Sequence, residues 1–189
     1  MTEQIPREYV SVDIETAGPA PSTHAMLSIG ACLVADPDEQ FYIELQPTTM
    51  AELPEATAIH GLSLLHLTEL GIAPASAMAA FETWVLDAVP SGRPIFVAWN
   101  APFDWMFVCD YFARFLGRNP FGHAALDIKA YFMALQGVPW WRTSMGEATE
   151  HLGERRTLTH HALQDALDQA EVFRRLLAER WATNGEGTA

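Results

Sequence analysis

Only two of the 189 residues are cysteines, Cys32 and Cys109, and they form no C-x-x-C spacing. A disulfide framework and a thiolate zinc site are thereby excluded, and two buried free thiols are expected. Long apolar runs are missing as well. The longest covers residues 29–35, far below the roughly 20 residues that cross a bilayer, so no membrane span is expected. The first residues place Glu3 and Glu8 beside Arg7 with no apolar stretch behind them, unlike a secretory signal, and a cytoplasmic location is the expectation. Basic charge is scarce in one part of the chain. Residues 1–110 hold 2 Lys or Arg against 15 acids, whereas residues 111–189 hold 9 of each, so the first part carries the whole net charge of −13. Broad neutralisation of nucleic-acid phosphates needs a basic face and is excluded; a grip on phosphates through bound cations is not.

What is present is a core. Apolar residues make up 49% of the chain, with 10 Phe, 6 Trp and 4 Tyr, too many for disorder and enough for one domain. Residues 9–14, 26–35 and 41–45 read as three strands joined by turns at Gly18-Pro19 and at Asp36-Pro37-Asp38, spaced as an antiparallel meander. Beyond Pro54 the pattern turns helical, with an amphipathic stretch over 75–89 that stops at Pro90. Residues 94–98 then read as a short buried strand, 103–116 as a helix ended by Gly117, and 123–128 as a fifth strand entering a helix near Ala130. The last helix is expected over 161–181, with Leu163, Ala166, Leu167, Ala170, Phe173, Leu176 and Leu177 on its period, followed by a disordered tail over 183–189. Three antiparallel strands followed by alternating β and α units predict one mixed α/β domain over 1–182.

Three segments carry chemistry. In Val12-Asp13-Ile14-Glu15-Thr16 the two acids share one face of a strand, roughly 6.5 Å apart, and repel unless cations lie between them. The bland alternative is a solvated strand end. In Asn100-Ala101-Pro102-Phe103-Asp104 an acid follows a buried strand at a helix start, where it could equally serve the helix dipole. In His160-His161-Ala162-Leu163-Gln164-Asp165 a histidine precedes an acid by five residues. Five residues turn a helix by about 140°, so His160 must lie in the entering loop if both serve one site. Four carboxylates arriving in this order suit the hard cations Mg²⁺ or Mn²⁺, and an imidazole suits the general base of a hydrolysis.

These three segments, in order and with compatible gaps, resemble the exonuclease motifs of the DEDDh family of 3′–5′ exonucleases, over about residues 8–178. Within it, Ile14-Glu15-Thr16-Ala17-Gly18 and Arg118-Asn119-Pro120-Phe121 resemble the ribonuclease T type. The resemblance implies a ribonuclease H-like fold, a five-stranded mixed sheet with three antiparallel strands then two parallel ones, flanked by helices. It also implies that Asp13, Glu15, Asp104 and Asp165 hold two divalent cations and that His160 is the base. A sister branch carries tyrosine where this chain has His161. The Ala58–Ser63 stretch, with His60, resembles the family's loop that contacts the terminal nucleotide, and Thr16, Asn100 and Phe103 are the further substrate-binding candidates. The implied partner is the 3′ end of single-stranded DNA or RNA, with a second copy or a polymerase or repair subunit as a protein partner. The competing readings are an exonuclease-like accessory module, and a metallohydrolase using the seven histidines, which include no H-E-x-x-H.

Overall fold

The computed structural model describes residues 5–154 and 159–185. Five strands form one sheet: β1 (Tyr9–Thr16), β2 (Met26–Leu33), β3 (Gln40–Glu44), β4 (Ile95–Ala98) and β5 (Ala125–Asp127). Their spatial order is β3-β2-β1-β4-β5, with β1–β2 and β2–β3 antiparallel and β1–β4 and β4–β5 parallel. This is the expected mixed sheet. The helices are α1 (Pro54–His60), α2 (Leu64–Leu70), α3 (Pro74–Ala88), α4 (Ala101–Leu116), α5 (Ile128–Gln136), α6 (Met145–His151) and α7 (Ala162–Gly185).

The two faces of the sheet are chemically different because β1 alternates. Val10, Val12 and Ile14 project to one side, where Ile29, Ala31 and Leu33 of β2 join them against Phe81 and Val85 of α3 and Phe107, Val108 and Tyr111 of α4. This cluster is apolar except for the Tyr111 hydroxyl, which accepts from the Met26 amide at 2.8 Å. Ser11, Asp13 and Glu15 project to the other side, under α7. There the apolar packing is confined to one end, where Cys32, Val34 and Val97 meet Ile128, Phe132, Phe173 and Leu177.

Several boundaries depart from the sequence reading. Helix α4 starts at Ala101 rather than near Phe103, because Asn100 adopts a left-handed conformation (φ 63°) that turns the chain directly into the helix. Helix α6 was not anticipated, although a capping box announces it: the Ser144 hydroxyl accepts from the Glu147 amide, and the Glu147 carboxylate accepts from the Ser144 amide. Helix α7 runs to Gly185, so it takes in the first three residues of the expected disordered tail; residues 186–189 lie outside the described residues. Cys32 is buried as expected, whereas Cys109 on α4 is only half-buried, its Sγ accepting from the Asn119 amide. Among the described residues no helix is long and apolar enough to cross a membrane.

Candidate active site

The site is assembled where α7 lies across the polar face of β1. Asp13 and Glu15 pair across the sheet with Gly30 and Ser28 of β2, so all four side-chain positions share that face. The Ser11 hydroxyl donates to the Ala166 carbonyl at 2.7 Å and the Cys32 thiol donates to the same atom. These bonds dock the helix. Gly30 lets it dock so closely, because a Cβ there would collide with the backbone of Ala162 and Leu163. A larger residue would lift the first turn of α7, and with it Asp165, away from Asp13 and Glu15.

Asp104 reaches the same place from the opposite layer. The left-handed Asn100 sits in the N-cap position of α4, and its amide donates to the Asp127 carboxylate at the end of β5, at 3.1 Å. Pro102 then occupies the first turn, where its missing N–H costs nothing. Asp104, also in the first turn and buried, accepts from the Ile14 amide at 3.2 Å. The carboxylate of α4 is thus tied to the strand residue between Asp13 and Glu15.

Asp165 and His160 explain their own spacing. His160 lies before the helix with φ 57°, a left-handed conformation uncommon for a residue with a Cβ. Asp165, in the first turn of α7 and 2% exposed, holds that turn. It accepts from the Thr159 amide at 2.8 Å, the Thr159 hydroxyl at 3.0 Å and the His160 amide at 2.8 Å. Ligand atoms of Glu15, His160 and Asp165 all lie within 4.8 Å of one another. His161 goes elsewhere: its ring stacks on Tyr42 of β3, centroids 4.7 Å apart, and its carbonyl accepts from the Asp165 amide. It precedes the helix, which begins at Ala162 rather than at the expected position 161.

The charges of the cluster resist one another. Burial, then the carboxylates of Asp104, Glu15 and Asp165, hold the Asp13 carboxyl well above the usual range. Burial, then Asp165, pushes Glu15 up to about 7. Asp104 is pushed up to about 8 by burial and by Glu15 and Asp127, against the two backbone amides that favour its charged form. Among the described residues no Lys or Arg offsets these acids. Such a set of largely desolvated hard oxygen donors, with no offsetting cation among the described residues, has the chemistry of a divalent-cation site.

The remaining candidates surround the cluster unevenly. Thr16 is buried and its hydroxyl donates to the Gly18 carbonyl at 2.9 Å, so that group is committed to the turn. His60 ends α1, its Nδ1 accepting from the Leu62 amide; burial lowers its pKa and His160 adds to that effect, while Thr16 and Glu52 oppose it. His60 therefore stands near both Thr16 and His160. Asn100 is exposed and its side chain does not cap α4, while Phe103 is half-buried against Phe107. The sequence pattern does not single out Gly30 or Asp127. An acid preceding a helix start could have flagged Asp127, but no local signal marks Gly30.

Comparison with known proteins identifies the family. The Exonuclease family matches residues 10–173. The 3′-5′ DNA exonuclease Cap18 of Escherichia coli is 42% identical over 167 residues, covering 88% of this chain and 89% of the relative. Ribonuclease T of Yersinia enterocolitica is 31% identical, covering 93% of this chain and 86% of the relative. The nuclease domain of 3′hExo, a DEDDh family member solved with rAMP, superposes with a TM-score of 0.75 at 13% identity, covering 90% of this chain and 92% of that one. The fold is ribonuclease H-like. The chain belongs to the Exonuclease family and is a ribonuclease T-like 3′–5′ exonuclease.

Proposed function

We propose that residues 1–182 act as one domain that removes nucleotides from the 3′ ends of single-stranded DNA or RNA and releases nucleoside 5′-monophosphates. Asp13, Glu15, Asp104 and Asp165 hold two divalent cations, Mg²⁺ or Mn²⁺, and His160 is the general base. The observation that carries the reading is the convergence of four acids from β1, α4 and α7, three of them with raised pKa values, on one place beside an exposed histidine. When bound, a pair of such cations activates water and offsets the charge on the leaving oxygen.

The residues of the chain divide the remaining work. His160, held at the rim by Asp165 through its own amide, takes the proton of the attacking water through its ring. The bond from phosphorus to the 3′ oxygen of the next nucleotide breaks, leaving a shortened strand with a 3′ hydroxyl. Thr16, His60, Asn100 and Phe103 are the residues that contact the terminal nucleotide. Single-stranded DNA is the first substrate to try, since the relative at 42% identity is a DNA exonuclease.

The test is degradation of a 5′-labelled oligonucleotide. Progressive shortening with release of monophosphates in Mg²⁺ or Mn²⁺ is expected, and none in EDTA. Asp104→Ala should lower turnover by at least about a hundredfold, through loss of cation binding. Full activity in excess EDTA would overturn the cation assignment, and cleavage of a circular single strand would overturn the end-specificity.

A further inference from the structure

We infer that Gln169 is a positioning residue that spaces the carboxylates of the active site; the inference rests on the cation assignment proposed above. Parallel pairing of β1 with β4 covers Tyr9–Ile95, Val10–Phe96 and Ser11–Val97 and then stops. Beyond it β1 carries Asp13 and Glu15, whereas β4 ends at Ala98 and turns toward α4 and Asp104. The register places the next rung of the ladder between the Val12 carbonyl and the Trp99 amide. That rung is absent, and a side-chain amide stands in its place. Gln169 Nε2 donates to the Val12 carbonyl at 2.8 Å, and Gln169 Oε1 accepts from the Trp99 amide at 2.6 Å. The residue is 1% exposed.

Inserting an amide between two strands does two things. It satisfies both backbone groups that the missing rung would otherwise leave buried, and it holds the strands farther apart than a direct bond would. The separation matters because the acids lie just beyond this point. Asp104 accepts from the Ile14 amide, two residues past Val12, and so occupies the next position along the opened edge of β1. Gln169 is also one helical turn after Asp165, so the two project from the same face of α7. One side chain therefore sets the place of all three elements that supply acids: β1 through Val12, the turn into α4 through Trp99, and α7 through its own backbone. Asp127 completes the turn by accepting from the adjacent Asn100 amide. Ser11 offers the contrast. Its hydroxyl ties α7 to β1 through Ala166, but it lies where β1 and β4 are still paired and spaces nothing.

The experiment compares Gln169→Met, similar in length but unable to make either bond, with Ser11→Ala, using oligonucleotide turnover under Mn²⁺ titration. Residues that orient metal ligands typically change metal affinity or activity by about 10–100-fold. Q169M is therefore expected to lower kcat within that range and to raise the half-saturating Mn²⁺ concentration, with KM for the oligonucleotide within about twofold and hydrogen-exchange protection of the Trp99 amide lost. S11A should lower the thermal midpoint but leave kcat and the Mn²⁺ dependence unchanged. If Q169M does not fold, Gln169→Asn, which keeps the amide one methylene short, is read in the same way and should show the same pattern. Unchanged kcat and Mn²⁺ dependence in the folded Gln169 variant would overturn the inference, as would equal losses in S11A, which would mean that helix docking alone matters. Metal-independent activity of the parent enzyme would overturn the underlying cation assignment instead.

Discussion

The two faces of β1 are built on opposite principles. On one, Val10, Val12 and Ile14 are buried against α3 and α4 by contacts that any apolar side chain of suitable size could make. On the other, Ser11, Asp13 and Glu15 lie under α7, where docking depends on named hydrogen bonds and on the missing side chain of Gly30. The first face stabilises the fold. The second works against stability, since its carboxyls are held uncharged more readily than in water, and it is tolerated because the charges it gathers are the function. A strand with a period of two keeps these roles apart within eight residues.

The sharpest separation of the faces is catalytic. His160→Ala is expected to lower single-turnover rates at saturating Mn²⁺ by about 10²–10⁴-fold, the usual cost of losing a general base. Its thermal midpoint should hardly change, because the ring is exposed. His161→Ala, which only removes the stack on Tyr42, should stay within a few-fold of the parent. The reverse order would reassign the base.

The apolar face should show the opposite profile. Phe81 is fully buried and packs on Phe41, Phe112 and Phe121. Phe81→Ala should cost roughly 3–5 kcal/mol of stability in denaturant titrations, while turnover per folded molecule stays near the parent value. A large loss of kcat in the folded variant would show that the faces are not independent.

The smallest effect tests the cost of the polar face. Acids whose pKa is raised in the folded state bind more protons there than in the unfolded chain, so their contribution falls as pH rises from about 4 to the folded values of about 7 for Glu15 and about 8 for Asp104. The metal-free protein should therefore lose thermal stability over that window, by roughly 5 °C or more. Mn²⁺ should restore it, and Asp104→Asn, which can still accept from Ile14, should flatten the slope. A midpoint that rises steadily from pH 5 to 8 without metal would contradict the electrostatics.

Much of this was legible before the fold was known. The alternation of β1, the order of Asp13, Glu15, Asp104, His160 and Asp165, and the need for His160 to lie outside the helix all follow from local spacing. The mixed α/β class followed from the order of strands and helices, and the arrangement of the sheet from the family resemblance. Helix α6 is not among the expected elements, although the Ser144 to Glu147 spacing marks its start.

The remainder depended on distance along the chain. Which side chains share a face and which residues could carry charge follow from local pattern, because those properties repeat over two to four residues. It takes the packing of distant segments to show that Gly30 must make room for Ala162, that Asp127 anchors the turn at Asn100, and that Gln169 fills a rung between Val12 and Trp99. These partners are tens to more than a hundred residues apart, and a glycine or glutamine has no local pattern to reveal what will approach it. Once α7 lies across the sheet, sterics and hydrogen bonding leave each of these positions little choice.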